Sequence, residues 1–363
     1  MSHVVIIGCG VVGAAIAYEL SQISGLSVTV LDKQQPAQAS TGAALGVLMG
    51  VISRKLKGNA WKMRQSSIQR YETLIPELEA LTGRQIPFNK QGIIMLCFAG
   101  EDLANWEKLV EIRSSQGWNL EIWDAAKLQS NCPQLSKDKI IGAIYSPQDR
   151  QLDPTALTLA LVDGAERNGV NFKFGVTVLE NELTRNGVCK QIQTTSGKLD
   201  CDWLIIAAGL GSTPLTASLK ESIDIKPVLG QALHLRLAQP LGNPDFQPVI
   251  TGDDVHIVPC GPGEYWVGAT VEFPPDAGDI VASGAMLEKV LEDALVFCPP
   301  LSAATIIRTW SGLRPRPEGR PAPIIGHLPG YSNVLLATGH YRNGVLLAPA
   351  TAIAIRELIS FNS

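Results

Sequence analysis

The strongest chemical signal in this sequence is the glycine-rich turn Gly8-Cys9-Gly10-Val11-Val12-Gly13. It follows the apolar segment Val4-Val5-Ile6-Ile7, opens an alanine-rich helical segment, and precedes a second apolar segment that ends at Asp32. In this context the first glycine permits a tight turn, the second lets backbone amides approach a pyrophosphate, and the third lets helix and strand pack closely. The turn therefore predicts a dinucleotide site, with the pyrophosphate at the helix N-terminus and Asp32 on the adenosine ribose.

A second glycine-rich turn, Gly339-His340-Tyr341-Arg342-Asn343-Gly344, joins an apolar strand at 334–337 to an apolar helix at about 345–359. The first turn alone fits NAD and FAD equally well. A second turn so far along the chain favours FAD, because the cofactor would then be held at both ends. The N-terminus of the last helix would face the flavin edge on which negative charge collects in the reduced state.

Arg314 is the candidate group for binding a substrate carboxylate. Leu313 and Pro315 flank it, so its backbone is held extended and the direction of its side chain is restricted. A guanidinium binds a carboxylate through two parallel hydrogen bonds and stays charged at any working pH. From the residues alone, a solvated loop arginine like the neighbouring Arg316 and Arg320 is an equal alternative.

The segments between these motifs alternate between two kinds of pattern. Residues 61–81 have helical periodicity, and a second helix is expected between Asp153, as its N-cap, and Asn168-Gly169. From 228 to 270 the pattern changes to alternating strands interrupted by proline, which indicates an antiparallel sheet and hence a different domain. We therefore expect the two ends of the chain to form one α/β domain into which the antiparallel segments are inserted.

Composition excludes several classes of protein. The chain has 363 residues, of which 45% are hydrophobic, so it can bury a large core and is not globally disordered. A net charge of −4 without a dense basic block argues against nucleic acid as a partner. The seven cysteines are scattered and the five histidines show no metal-ligand spacing. We therefore expect reduced thiols, no metal and a cytoplasmic protein.

The sequence resembles the D-amino-acid oxidase superfamily of FAD-dependent flavoproteins, and within it the glycine oxidases most closely. The two most specific resembling segments are Trp310-Ser311-Gly312-Leu313-Arg314-Pro315 and the second glycine-rich turn with the start of its helix. The resembling segments follow one another in family order over nearly the whole chain, at 5–13, 39–44, 257–259, 267–270, 310–315 and 339–351.

This resemblance implies a fold of the α/β plus α+β class, in which a Rossmann-type FAD-binding domain carries an inserted antiparallel-sheet substrate domain. Together with the pattern above, it places the FAD-binding domain at 1–85, 148–222 and 313–363. The substrate-binding domain then comprises 86–147 and 223–312. Because 308–323 lacks the cysteine to which related monomeric sarcosine oxidases attach their flavin, noncovalent FAD is expected.

The implied reaction is oxidative deamination of a small amino acid or an N-methylated amine. A hydride passes to flavin N5, the imine is hydrolysed to a 2-oxo acid or an aldehyde, and the electrons pass to O2. Two alternatives stay open: a quinone-linked D- or L-amino-acid dehydrogenase, and a flavin-binding protein without deaminase activity. The sequence also leaves homo-oligomer formation open.

By similarity, Ser40 and Thr41 lie near the pyrophosphate, Val178 pairs with adenine through its backbone, and the last turn borders the flavin ring. The implied cofactor-binding positions are Gly8, Gly10, Val11, Val12, Gly13, Asp32, Lys33, Ser40, Thr41, Val178, Gly209, Gly339, His340, Arg342, Asn343, Gly344, Val345 and Leu346.

Three positions are implied as catalytic. Arg314 matches the arginine that binds the substrate carboxylate, and Arg342 matches a second arginine close to flavin and substrate. His256 stands where glycine oxidases carry a tyrosine, and Asp254 stands where a histidine is expected. Since histidine titrates near neutrality, this departure leaves the substrate and the pH dependence of the reaction open.

Overall fold

The computed structural model describes residues 1–101, 104–179, 187–217, 221–275 and 279–360. Its strands, in chain order, are β1 Ser2–Ile7, β2 Leu26–Asp32, β3 Val47–Leu48, β4 Phe88–Asn89, β5 Ile93–Phe98, β6 Glu121–Asp124, β7 Ile140–Ser146, β8 Arg150–Leu152, β9 Asn171–Phe174, β10 Gln191–Thr194, β11 Gly197–Asp200, β12 Trp203–Ile206, β13 Ile225–Arg236, β14 Val249–Gly252, β15 Val255–Gly261, β16 Glu264–Gly268, β17 Thr305–Pro317, β18 Ile324–His327 and β19 Val334–Thr338. Its α-helices are α1 Val11–Ser21, α2 Gly58–Thr82, α3 Ala104–Ser115, α4 Ala125–Asn131, α5 Pro154–Arg167, α6 Ser212–Thr216, α7 Gly284–Phe297 and α8 Gly344–Ser360.

The first large sheet has six strands in the order β18-β19-β12-β1-β2-β9. All of its neighbours pair in parallel except β18, which runs antiparallel to β19. The inner strands are buried on both faces, as the continuous apolar segments in β1 and β12 require. The carboxyl ends of the parallel strands therefore meet at one edge, which is where ligands bind in sheets of this kind.

Helices α1 and α8 pack against this sheet, α5 packs on α1, and α2 packs on α8 and α5. Small buried residues of α1, such as Ala14 and Ala17, allow the close contact of α1 with α5 and α8. Tyr71 of α2 donates its hydroxyl hydrogen to the Val345 carbonyl at the start of α8. The last helix is thus fixed against the first helix and against α2.

The second large sheet has eight strands in the order β17-β13-β16-β15-β14-β5-β7-β6. The prediction of an antiparallel sheet is right for six of its seven pairs, but β14 and β5 pair in parallel, with Val249 opposite Ile93. These two strands come from separate parts of the chain, so no hairpin fixes their relative direction. The sheet is therefore mixed.

Several local predictions are confirmed. Asp153 caps α5 by accepting hydrogen bonds from the backbone N–H groups of Thr155 and Ala156, with Pro154 in the first turn. Val178 forms an isolated bridge with Thr194 outside the strands. Helices α3, α4 and α7 were not predicted. No helix in the described ranges has both the length and the apolar character needed to cross a bilayer.

The division into two discontinuous domains stays a prediction. Strand β17 begins in the proposed substrate domain and crosses the proposed boundary between 312 and 313. It is also the edge strand of the eight-stranded sheet. Strand β17 therefore links the two parts of the proposed architecture.

Candidate active site

The first glycine turn is shaped for close approach of backbone atoms. Gly8 has a φ of +106°, and a Cβ built on Gly13 would lie 1.9 Å from the Gly8 carbonyl oxygen. Helix α1 begins after Gly10 with no side-chain cap and no acidic residue in its first turn. Apart from the Val11 N–H, which donates to Thr41 Oγ1, its N-terminal N–H groups and its dipole are therefore available to an anion.

Asp32 and Thr41 lie on either side of this turn. The Asp32 carboxylate accepts hydrogen bonds from the backbone N–H of Cys9 at 2.6 Å and of Gln34 at 2.9 Å. Since a carboxylate has about four acceptor sites, the half-buried Asp32 keeps capacity for ribose hydroxyls. Thr41 Oγ1 accepts the Val11 N–H at 3.0 Å, so the loop at 39–44 lies against the start of α1.

Val178 offers its backbone to a ligand. It is bridged to Thr194 through its neighbours: Leu179 N donates to the Gln193 carbonyl and Thr195 N to the Thr177 carbonyl. In such a non-hydrogen-bonded pair the N–H and C=O of Val178 itself point away from the Thr194 strand. This orientation fits the predicted pairing with adenine.

The loop at 39–44 is fixed to β17. The Ser40 hydroxyl donates to the Leu313 carbonyl at 2.6 Å, and the Trp310 indole N–H donates to the Ala43 carbonyl at 3.1 Å. The Ser40 hydroxyl hydrogen is thus engaged by the chain itself. These two bonds connect the predicted pyrophosphate loop to the strand that carries Arg314.

Arg314 is held in place by carbonyl groups. Its Nη1 donates to the Leu229 carbonyl at 3.1 Å and to the Thr270 carbonyl at 3.0 Å. A Cβ built on Gly230 would lie 2.3 Å from Arg314 Nη2, so only glycine leaves room for the guanidinium. In the described part of the chain no carboxylate lies within ion-pair distance of this half-buried cation, although the buried Glu272 interacts with it electrostatically. A free carboxylate is therefore the ligand that its charge favours.

Arg314 and His256 lie on the same face of the eight-stranded sheet. Arg314 pairs with Val228, and Ala232, four residues further along β13, projects to the same side. Ala232 pairs with Gly268, which in turn pairs with His256. The register therefore places the two side chains on a common surface.

His256 is half-buried and neutral at physiological pH. Its Nδ1 lies 2.9 Å from Thr251 Oγ1 on the neighbouring strand β14. Burial lowers the pKa of His256 to about 4, and the positive charges of Arg342 and Arg314 act in the same direction. Asp254 acts in the opposite direction. The expectation of a histidine that titrates near neutrality is therefore not met.

Arg342 is exposed and faces the turn that precedes His256. Its Nη1 lies 3.7 Å from Oδ1 of Asp254, whose own side chain is also exposed. Asp253 and Asp254 both have positive φ angles, +47° and +64°, as the centre of a two-residue hairpin between β14 and β15 requires. Burial lowers the pKa of Arg314, and the charge of Arg342 lowers it further, which indicates that the two cations are close to one another.

The second glycine turn borders the same edge of the six-stranded sheet. Gly339 and Tyr341 have positive φ angles, and the Asn343 N–H donates to the His340 carbonyl at 3.0 Å before α8 begins at Gly344. The His340 side chain lies inside the fold, with Nε2 3.0 Å from Thr351 Oγ1, and burial lowers its pKa to about 4. Only the backbone of His340 can border a flavin.

The remaining predicted cofactor positions lie around these groups. Gly209 follows β12, and its carbonyl accepts the Thr338 hydroxyl at 3.2 Å. Lys33 is exposed directly after Asp32, while Val345 and Leu346 are buried in the first turn of α8. The structure brings the predicted positions together along one edge of the sheet.

Sequence reasoning missed Thr251 and Gly230. Thr251 contacts His256 only because the Asp253-Asp254 turn sets their register across the hairpin. The closeness of Gly230 to Arg314 likewise depends on the pairing of β13 with β17. The adjacent aspartates between two apolar segments were a usable signal for the hairpin, whereas nothing local marks Gly230.

The residues at this edge fit FAD. The N-terminus of α1 suits a pyrophosphate, Asp32 keeps acceptor capacity for a ribose, and the outward Val178 backbone suits adenine. The fold and the cofactor-binding edge are those expected of a flavin-dependent oxidoreductase. A model of the DAO family, FAD dependent oxidoreductase, matches residues 3–358. The chain belongs to this family.

Individual relatives agree with that assignment. The chain is 30% identical over 358 residues to glycine oxidase from Bacillus subtilis, covering 98% of this chain and 92% of that protein. It is 32% identical over 365 residues to the bifunctional protein ThiO/ThiG of Nostoc sp., covering 98% of this chain. The match covers only 52% of the latter, so the chain spans about half the length of that relative. The crystal structure of glycine oxidase from Geobacillus kaustophilus has a TM-score of 0.89 at 26% identity, covering 99% of this chain and 95% of that one.

Proposed function

We propose that this protein oxidises a small amino acid or an N-methylated amine, in the manner of glycine oxidase. When bound, FAD supplies the two-electron oxidant that removes a hydride from the carbon bearing the amine. The imine product is then hydrolysed to a 2-oxo acid or an aldehyde, and O2 takes up the electrons. Glycine oxidases among the relatives support this substrate class.

The observation that supports the proposal is the half-buried guanidinium of Arg314, which has no carboxylate within ion-pair distance among the described residues. Two backbone carbonyls fix Nη1, which leaves the remaining N–H groups to bind a substrate carboxylate. The nearby positive charge of Arg342 strengthens attraction for an anion at this point. Arg314 would thereby set the distance and orientation of the amine-bearing carbon, which is the main contribution that positioning makes to such a reaction.

His256 would act as a neutral hydrogen-bond donor. If the Thr251 hydroxyl donates to Nδ1, the single ring proton resides on Nε2. On the face that also carries Arg314, that N–H can donate to the substrate carboxylate. Because the imidazole stays neutral above about pH 4, it contributes no charge at working pH.

The proposed cofactor site uses groups at three chain positions. Helix α1 receives the pyrophosphate, Asp32 the ribose, and the start of α8 the flavin ring. No covalent link is proposed, since 308–323 contains no cysteine. Acid precipitation should therefore release intact FAD from the yellow protein, whereas flavin that remained with the polypeptide would contradict noncovalent binding.

The test is anaerobic mixing of the FAD-loaded protein with a panel of amino acids and N-methylated amines. We expect at least one small amino acid to bleach the oxidised-flavin absorbance and to yield the matching 2-oxo acid or aldehyde. Readmission of O2 should restore the absorbance and release peroxide. If no member of the panel bleaches the flavin, amine oxidation is wrong. If bleaching occurs but only a quinone restores the absorbance, the acceptor assignment is wrong and the protein is a dehydrogenase.

A further inference from the structure

Three side chains with metal-binding donor atoms meet on the eight-stranded sheet, away from Arg314. They are His234 of β13, Cys260 of β15 and Glu264 of β16. Among the described residues, one donor atom from each lies within 4.8 Å of the other two. The sequence showed no metal-ligand spacing because the three residues come from three strands.

The local geometry brings these donors together. His234 Nε2 lies 2.9 Å from Glu264 Oε2 and 3.7 Å from Cys260 Sγ. Cys260 falls where the pairing of β15 with β16 shifts register, between Pro259 and Gly261. A bulge of this kind re-aims a side chain. The irregularity therefore accounts for the position of the thiol beside the His234–Glu264 pair.

The surroundings of the cluster resemble the outer shell of a metal site. Glu264 Oε1 is held by Arg236, through Nε at 2.9 Å and Nη2 at 2.7 Å, which leaves Oε2 directed at His234. Hydrogen bonds of this kind orient a ligating carboxylate. All three side chains are half-buried, with exposed fractions of 15% for His234 and 27% for Glu264, so an ion can enter from solvent.

We propose that His234, Cys260 and Glu264 bind one divalent zinc-like metal ion, with water completing a tetrahedral site. Nitrogen, thiolate sulfur and carboxylate oxygen are the donors that Zn²⁺ takes in proteins. On binding, the Cys260 thiol releases its proton to solvent and its sulfur forms the bond to the metal. The thiolate and carboxylate charges together balance the charge of the ion.

The proposed ion lies far from the proposed substrate surface. On β13, His234 of the metal cluster lies six positions from Val228, the residue that pairs with Arg314. At about 3.3 Å per residue in a strand, this is roughly 20 Å from the substrate surface. The metal would join β13, β15 and β16 near the end of the β15–β16 hairpin, and β15 also carries His256. Binding should therefore stabilise the sheet without entering the reaction.

The test is equilibrium dialysis of the tag-free, FAD-loaded protein against Zn²⁺, with Co²⁺ as a spectroscopic probe. We expect one tightly held Zn²⁺ per chain, and a Co²⁺ adduct whose ligand-field bands lie to the red of flavin absorption. At a free Zn²⁺ concentration of about 100 times Kd, the Tm of the protein should rise by roughly 3 °C. No retained Zn²⁺, or Co²⁺ bands of an octahedral all-oxygen site, would overturn the proposal.

Cys260→Ser and His234→Gln each remove one ligand, and His327→Gln is the matched control because His327 lies in the other large sheet. Loss of a residue that only hydrogen-bonds to a metal ligand already lowers metal affinity by about 10–100-fold. Loss of a ligand itself should therefore lower Zn²⁺ affinity by at least roughly a hundredfold in either variant. The control should keep wild-type affinity. Retention of FAD by each variant verifies that it is folded. Equal Zn²⁺ affinity in folded ligand variants and control would show that the ion binds elsewhere.

Discussion

His256 shows how strongly its surroundings set the behaviour of a residue in this site. An unperturbed histidine has a pKa of about 6.5, so roughly a quarter of such side chains are protonated at pH 7. Burial and two nearby arginines lower the pKa of His256 to about 4. The side chain is therefore a neutral hydrogen-bonding group, and Thr251 is the residue that fixes its orientation.

Thr251→Val should raise KM for a carboxylated substrate by roughly 3–10-fold, the scale of one hydrogen bond at about 0.5–1.5 kcal/mol. The reason is that valine has a similar shape but leaves His256 Nδ1 without a partner. kcat should change little, and steady-state kinetics separates the two parameters. Thr251→Ser keeps the hydroxyl and should stay close to wild type. An unchanged KM in the valine variant would remove Thr251 from the positioning of His256.

Some residues of the site could be predicted from the sequence and others could not, for a physical reason. Asp32 and the glycine turns are defined by local spacing, so they were predictable from the order of residues alone. Arg314 was identified from its proline neighbour and from the resemblance to a family. Thr251 and Gly230 act through partners on adjacent strands, and that register is set only when the sheet forms.

At the scale of elements, the first β-strand, turn and helix form one unit whose geometry depends on Gly13. Gly13→Ala should displace the start of α1, because its Cβ would lie 1.9 Å from the Gly8 carbonyl oxygen. Overpacking of this kind costs about 1–3 kcal/mol, so we expect roughly 5–150-fold weaker FAD binding, measured by flavin fluorescence. The matched control is Gly284→Ala at the start of α7, where a Cβ meets no atom within 4 Å. Equal FAD affinity in the two variants would contradict the predicted close approach.

The turn before α8 predicts a pH effect on stability. His340 has a folded-state pKa of about 4, against about 6.5 when unfolded. Between these values the unfolded chain binds more protons, so the free energy of unfolding falls as pH falls from about 6.5 to 4. His340→Gln removes this contribution, and its Tm should fall less than that of wild type between about pH 7 and pH 4.5. At pH 8 the side chain at position 340 is uncharged in both proteins, so any difference in Tm at that pH comes from packing. If Tm fell by the same amount in wild type and in His340→Gln over this pH range, a buried neutral His340 would be contradicted.

The elements were predictable to different degrees. Helices α2, α5 and α8 have strong periodicity or clear caps, and their predicted positions agree with the structure. Helix α7 was missed because the predicted strand pattern ended at 270 and no element was assigned to 284–297. The parallel pairing of β5 with β14 joins segments far apart in the chain, which no local pattern encodes.

At the scale of the whole molecule, strand β17 connects the proposed cofactor edge with the proposed substrate surface. Its Leu313 carbonyl and Trp310 indole hold the loop at 39–44, and its Arg314 lies on the face shared with His256. The central claim is that these contacts place a carboxylate-binding group beside a flavin. Arg314 is therefore the residue at which the whole arrangement can be tested.

The most direct measurement compares two ligands in wild type, Arg314→Lys and Arg314→Ala: an amino acid that bleaches the flavin and the matching amine without the carboxylate. Anaerobic titration of FAD-loaded protein gives the dissociation constant of each. For the amino acid, Arg314→Ala should weaken binding by at least about tenfold and up to more than about a hundredfold, at about 1.5–3 kcal/mol per charge-assisted hydrogen bond. Arg314→Lys should recover part, since an ammonium keeps the charge without the planar fork. The dissociation constant of the amine without the carboxylate should change little in either variant. The FAD content should be the same in all three proteins. Equal losses for both ligands would show that Arg314 supports the structure and does not bind the carboxylate, and Arg342 would then be the better candidate.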